Sequence, residues 1–417
     1  MSAGAPGGDA SRAGAPGSSP AAPGVAPAAH PYAPTVLAFA AAGLVAFAEL
    51  YGVQALLPAI SAEFALTPST SALVLSAGAL GLAVAVVPWS IAARHVRRGL
   101  LLRIAVIATI ALGPFVAVTD GFASLLAVRL AQGAVLAGIP ALALTHLGDV
   151  VDRRRTAAAA GWYIAGTALG GLSGRFVAGF AATAADWRLA LVAVSLLSAG
   201  AALVFLLLAP RAAEHPAAPG STRRALANPL VWAICLLAFT QMGVFVAAYN
   251  YTGFRLLGPG LGLPEAVVTA IFGIYLVGSA TAARAGALVA RLGRPTTLTA
   301  AVLTQLAGLA LTIPDWLPSI IAGLVVLTAG FFALHAVAAG WAASLGRGSA
   351  LPSALYTIGY YAGAALIGWL LGLAFDQHGW SAVVAWAAVI SIAGLAGLIA
   401  TLRSSVPATG VPEERPA

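Results

Sequence analysis

Two side chains in the 417-residue sequence, Glu49 and Arg129, place ionisable chemistry deep inside apolar runs, and His335 adds a third candidate. Glu49 is the one acid buried within such a run, in AFAELYGVQALLPAI. A carboxylate in that setting binds or releases a proton according to its surroundings: burial disfavours the charged form and a nearby guanidinium favours it. Arg129, in VRLAQG, supplies a positive charge that is effectively permanent. His335, in FFALHAVAAGW, is a second group that could titrate or bind a solute. This is proton-handling chemistry, and bond-making chemistry finds no support. There is no Lys, which excludes a P-loop lysine, a Schiff base and a Ser–Lys dyad. The single Cys235 excludes an intrachain disulfide and any multi-cysteine metal centre. The six His residues lack ligand spacing and no G-x-S-x-G occurs. No cofactor or metal is implied, and the chain does not read as an enzyme.

The elements that hold these groups are apolar helices. Hydrophobic residues are 60% of the chain and charged ones 8%, against about 45–50% and about 25% in soluble proteins. Mean hydropathy is +0.95. Such a chain cannot cover itself with polar groups, so its solvent must be lipid, where one crossing needs ~20 apolar residues. Twelve runs are predicted near 35–59, 72–93, 100–118, 121–145, 156–181, 188–209, 229–252, 266–290, 296–314, 318–343, 352–374 and 380–402. At about 1.5 Å rise per residue, Glu49 in the first run and Arg129 in the fourth reach nearly the same depth. The expected fold is therefore an all-α membrane protein with twelve transmembrane helices.

Arginine placement orients it. Sixteen of the 21 basic residues fall in loops and tails on one side, only Arg188 and Arg255 on the other, and Arg129, Arg175 and Arg284 inside runs. The basic side is expected to be cytoplasmic, with both termini there. The pI of about 10.2 thus reflects topology and not a nucleic-acid surface. Residues 1–34 are a low-complexity tail, with Ala, Gly, Pro and Ser supplying 28 of the 34, and are expected to be disordered. The longest internal loop, 210–228, separates an N-terminal bundle (35–209) from a C-terminal one (229–403), and a second tail covers 404–417. The segment from Trp89, WSIAARHVRR, and the segment from Gly286, GALVARLGRP, are offset by 197 residues, and three run starts repeat at nearly the same offset. That constancy implies duplication and two pseudo-symmetric six-helix bundles.

The loop segments are similar to the signature between helices 2 and 3 of the major facilitator superfamily, G-x3-D-R-x-G-R-R. The second copy keeps Gly286, Arg291, Gly293 and Arg294 and the first keeps Arg94, Arg97 and Arg98, while Ala93 and Ala290 stand where the family has Asp. Arg129, Gln132 and Gly133 match its R-x-x-Q-G motif. The segments ELYGVQALLPAISAEF, YIAGTALGGLSGR, GFFALHAVAAGW and LYTIGYYAGAALIGW resemble a bacterial inner-membrane branch of sugar and drug efflux permeases. The resemblance covers roughly 35–403 and implies a secondary transporter of the cytoplasmic membrane, monomeric, moving a small solute by alternating access with proton-coupled antiport. Solute uptake and a non-transporting scaffold or sensor are the alternatives. Tyr51, Gln54, Gln132, Gln241, Tyr249, Asn250, Tyr360 and Tyr361 are candidate cavity groups. Gly166, Gly170, Gly171 and Gly174 form a small-residue face on the fifth helix, expected to slide against the eighth, and Arg175 beside them is expected to snorkel, like Arg284.

Overall fold

The computed structural model describes residues 31–152, 154–210, 226–346 and 351–404. The tails and the central loop expected at 1–34, 210–228 and 404–417 lie almost wholly outside the described residues. The described residues form helices and no strand. In the first half, α1 (Tyr32–Tyr51) passes through a 3-10 turn, Gly52–Leu56, into α2 (Leu57–Glu63). Pro58 accounts for the change of pitch, because it offers no N–H to the carbonyl of Gln54 and its ring crowds that carbonyl. Then follow α3 (Pro68–Ala92), α4 (Arg98–Ala117), α5 (Phe122–Leu136), α6 (Gly138–Val150), α7 (Thr156–Ala182) and α8 (Trp187–Leu208).

The second half holds α9 (Pro229–Leu257), α10 (Glu265–Ile271), a 3-10 turn at Phe272–Ile274, α11 (Tyr275–Leu292), α12 (Arg294–Leu311) and α13 (Leu317–Leu345). It closes with α14 (Leu351–His378) and α15 (Trp380–Ser404). Gly379 separates the last two with φ +73°, a conformation that costs glycine little. Each predicted run overlaps one of these helices or helix pairs. Ten segments are long and apolar enough to cross a membrane, counting α1–α2, α5–α6 and α10–α11 as one each. The other two, α7 and α12, pack against α1 and α13 respectively. Arg175 and the glycines of α7, and Arg294 and the threonines of α12, dilute their apolar character.

Large apolar side chains such as Val84, Phe115, Leu196, Leu207 and Trp386 are exposed, as a lipid-facing belt requires. The two halves meet chiefly where α3 packs on α14–α15 and α7 on α10. Their hydrogen bonds run from Gln54 to Asn250, from Arg175 to Tyr275, and from Ser69 to Asp376. All three lie toward the face opposite the start of α1.

Candidate functional site

Arg129 is 2% exposed and sits where α1 changes pitch. Its Nη1 donates to the carbonyl of Glu49 at 3.0 Å, its Nη2 to that of Leu50 at 2.8 Å and its Nε to that of Val74 at 3.3 Å. Nη1 also donates to Gln132 Oε1 at 2.5 Å, and Gln132 Nε2 donates to Glu49 Oε2 at 2.8 Å. The structure thus brings Glu49, Arg129 and Gln132 together, with the glutamine amide bridging the two charges. The reach is possible because α3 and α5 nearly touch: a methyl group at Gly133 would overlap the backbone of Gly78. One guanidinium therefore holds α1 and α3 while its charge offsets that of Glu49.

Glu49 Oε1 points away from the amide. It is buried beside Ser195 Oγ and Ser198 Oγ of α8, the neighbouring hydroxyls able to donate to it. A methyl at Gly113 would meet both Glu49 Oε1, at 3.3 Å, and Ser195 Oγ. The far side of the carboxylate is thus a small polar pocket between α1, α4 and α8, able to accommodate a proton on Oε1. The two serines were not foreseen. Their three-residue spacing places them on one helix face, which was the available signal.

A second buried cation lies on α7. Arg175 is 2% exposed, so the expectation that it snorkels is corrected. Its Nε donates to Gln54 Oε1 at 2.7 Å, its Nη1 to the Gly171 carbonyl at 2.6 Å and its Nη2 to Tyr275 Oη at 3.1 Å. Its Cζ lies 4.5 Å from the Tyr51 ring centre and 4.3 Å from that of Tyr275. Seven residues from the end of α7, it meets rings of the second half before it can reach a polar boundary. Gln54 Nε2 in turn donates to Asn250 Oδ1 at 2.6 Å. Gln54, Asn250, Tyr51 and Arg175 are therefore one group across the two halves.

The second half presents aromatic rings instead. Phe245 stacks on Phe331 with centroids 3.9 Å apart, and Tyr249 packs on Tyr275 at 4.7 Å while its hydroxyl bonds Thr328 at 2.6 Å. His335 Nδ1 meets Tyr356 Oη at 2.8 Å, and its ring packs on Tyr360, which packs edge-on to Tyr361. His335, Tyr249, Tyr360 and Tyr361 thus share one aromatic cluster. Its phenylalanines, Tyr275 and Tyr356 were not singled out from sequence, where they read as ordinary apolar positions.

Other candidates lie elsewhere. Gln241 is fully buried among second-half helices, donating to the Ser391 carbonyl at 3.2 Å and accepting from Gln305 through its own carbonyl. Gly166, Gly170 and Gly174 pack on α1, where added methyls would overlap the backbones of Ala40, Leu44 and Ala48, so this face does not lie on the eighth run; Gly171 turns toward Arg175. Near the loop motif, Arg98 pairs with Asp149 at 2.5 Å, an ion pair between α4 and α6 that does not use the position where Ala93 replaces Asp. Arg94 and Arg97 are exposed, as are Arg291 and Arg294. Gly286 has open space beside it and no helix approaches it closely here, whereas Gly293, at φ +77°, makes the turn between α11 and α12. Arg284 is exposed and donates to the Ala280 carbonyl. Among the described residues no three His, Cys, Asp or Glu side chains gather as a metal site.

Lipid-exposed helices around a buried charge cluster and a cross-half polar group mark a multi-pass membrane protein. The chain belongs to the Major Facilitator Superfamily, whose profile matches residues 39–344. It is 32% identical over 355 residues to the MFS-type transporter YybF of Bacillus subtilis, covering 82% of this chain and 87% of that one. It is 30% identical over 373 residues to the inner membrane transport protein YnfM of Escherichia coli, covering 85% and 87%. A bacterial homolog of the human lysosomal transporter Spinster, solved inward-facing and occupied, shares the fold with TM-score 0.72 at 17% identity over 89% of this chain and 98% of that one. The nucleoside transporter NupG does so with TM-score 0.70 at 13% identity over 88% and 99%. These relatives are transporters and not enzymes.

Proposed function

We propose that this chain exports a small organic solute across the cytoplasmic membrane by alternating access, in exchange for protons. In this reading twelve helices cross the bilayer as two six-helix bundles, 35–209 and 229–403, with both termini cytoplasmic and the monomer as the working unit. The observation that carries it is the buried Glu49–Gln132–Arg129 cluster, built into the helix that also carries Gln54 across to Asn250. An intramembrane carboxylate is costly and persists where it serves a pathway. Protonation of Glu49 would weaken its hold on Gln132, free Arg129 from half of its bridge, and loosen α1 where its pitch already changes. Closure at the face opposite the start of α1 corresponds to an inward-facing state.

The gating motif Arg94, Arg97, Arg98, Gly286, Arg291, Gly293 and Arg294 lies at the cytoplasmic face in this reading, with Arg98–Asp149 as its working pair. The aromatic cluster around Tyr249, His335, Tyr360 and Tyr361 provides the apolar wall for the solute. The test is reconstitution into vesicles with labelled solutes and an imposed pH gradient. Flux of a solute against its gradient and opposite to proton flow is expected. Flux in the direction of the protons would establish uptake, and no flux of any solute would remove the transport reading. Reporters after Ala417 and near Pro259 should report opposite sides of the membrane.

A further inference from the structure

Among the described residues, Arg175 is a buried charge without a counter-ion. Each of its hydrogen-bond partners, Gln54, the Gly171 carbonyl and Tyr275, is neutral, and so are the rings of Tyr51, Tyr275 and Phe272 around it. Among the described residues the ion pairs recorded are Arg98–Asp149, Arg188–Glu63 and Arg255–Asp315, none of which involves Arg175. Arg129 differs, because the Glu49 carboxylate lies one amide away. A lone cation at membrane depth is costly and persists where it has a partner or a task. Hydrogen bonding between the halves could be met by a neutral amide at far lower cost, so a guanidinium calls for something that a neutral group would not bind.

A second observation points the same way. Arg175 donates to Gln54 and Gln54 donates to Asn250, which leaves Asn250 Nδ2, on a residue 1% exposed, buried without an acceptor. The group therefore has surplus donors as well as surplus positive charge. Tyr275 is only half-buried, so the guanidinium lies one ring beneath accessible surface, and that ring continues into Tyr249. What is missing is an acceptor with negative charge, on a body that rings can cover.

Building on the transport reading above, we propose that the solute is an organic monoanion, a carboxylate on an apolar or aromatic body, and that Arg175 and Asn250 form its anion subsite. A carboxylate accepts from a guanidinium in bidentate fashion, with bonds about twice as strong as those between neutral groups. Its arrival displaces Gln54 Oε1 from Arg175 and gives Asn250 Nδ2 its acceptor. Gln54 and Asn250 tie the two halves together, so the same exchange loosens closure at that face and couples binding to access.

The test is thermal unfolding of the purified full chain with three probes of one carbon skeleton: hydrocinnamate, its neutral amide hydrocinnamamide, and the cationic phenylpropylamine. Hydrocinnamate is expected to bind about tenfold or more tightly than the amide, as charge-assisted hydrogen bonds would give, with no stabilisation by the amine. Arg175→Gln should abolish the preference and Arg175→Lys should keep part of it. Asn250→Ala, which retains the charge, should weaken hydrocinnamate binding and leave amide binding unchanged. The assignment is overturned if the wild type ranks the amide or amine with the carboxylate, if none of the three binds, or if Arg175→Gln keeps the preference. Should Arg175→Gln fail to fold, the wild-type ranking and Asn250→Ala decide. Vesicles that move neutral or cationic solutes alone sink the anion assignment and leave transport standing. Hydrocinnamate binding without flux of any solute does the reverse.

Discussion

In the first half of the chain, Gln132 on α5 donates to the Glu49 carboxylate on α1 at 2.8 Å. In the second half, 196 and 199 residues further along, stand Phe245 on α9 and Phe331 on α13, and the contact between them is a ring stack at 3.9 Å. Thr328, 199 residues beyond Arg129, is neutral and hydrogen-bonded to Tyr249. The first half thus joins these helices through charges, and the second half through rings. A charged pair costs desolvation and responds to protons, whereas stacked rings contribute packing that is indifferent to pH. The difference argues for divided labour: coupling in the first half and solute contact in the second, with Arg175 and Gln54 at the seam.

The largest effect is expected from Arg129→Ala. It leaves Glu49 without its nearby cation and takes one donor from each of three backbone carbonyls, so flux should fall to background and stability by about 3–5 kcal/mol. A vesicle assay and a thermal melt check both, and a mild effect would reduce Arg129 to packing and erase the contrast. Glu49→Gln comes next. It should retain binding and solute exchange but lose accumulation driven by a pH gradient. If variant vesicles accumulate solute at the wild-type rate under that gradient, Glu49 is not the coupling group and His335 becomes the residue to test.

Phe331→Ala should do the complementary thing. Loss of the stack is expected to raise KM about tenfold, in line with about 0.5–1.5 kcal/mol for an aromatic pair plus lost burial, while the response to the pH gradient is unchanged. A changed pH response would mean that the two clusters are not separable.

A smaller effect belongs to the seam. The Ser69 hydroxyl and backbone N–H both donate to Asp376 at the start of α3, where a negative charge is favourable by about 0.3–1 kcal/mol. With Cys235 replaced by Ala, Asp376→Asn should speed thiol labelling of Thr252→Cys, a buried site on α9 two residues beyond Asn250, about fivefold by loosening closure. Labelling at an unchanged rate would show that this contact does not hold the halves. Arg284→Ala, by contrast, should change a thermal melt by no more than about 0.5 kcal/mol, as its side chain is exposed.

The lipid solvent, the helical runs and the common depth of Glu49 and Arg129 were legible in the residues themselves, because they depend only on composition and on a fixed rise per residue along each helix. Direction around the helix axis was not legible, since it depends on which helix lies alongside. Gln132 could be recognised from its motif, but its place between Glu49 and Arg129 required α5 to meet α1 across α3. Arg175 read as a residue near enough to a helix end to snorkel, and it became the centre of a cross-half group because α11 brings Tyr275 over it. The α7 glycines announced a close approach, yet only packing decided that the partner is α1. Ser195 and Ser198 acquired meaning only when α8 carried them behind Glu49. Periodicity along a helix is local and survives in the sequence; adjacency between helices is made by contacts between residues far apart in the chain, and only the folded structure holds it.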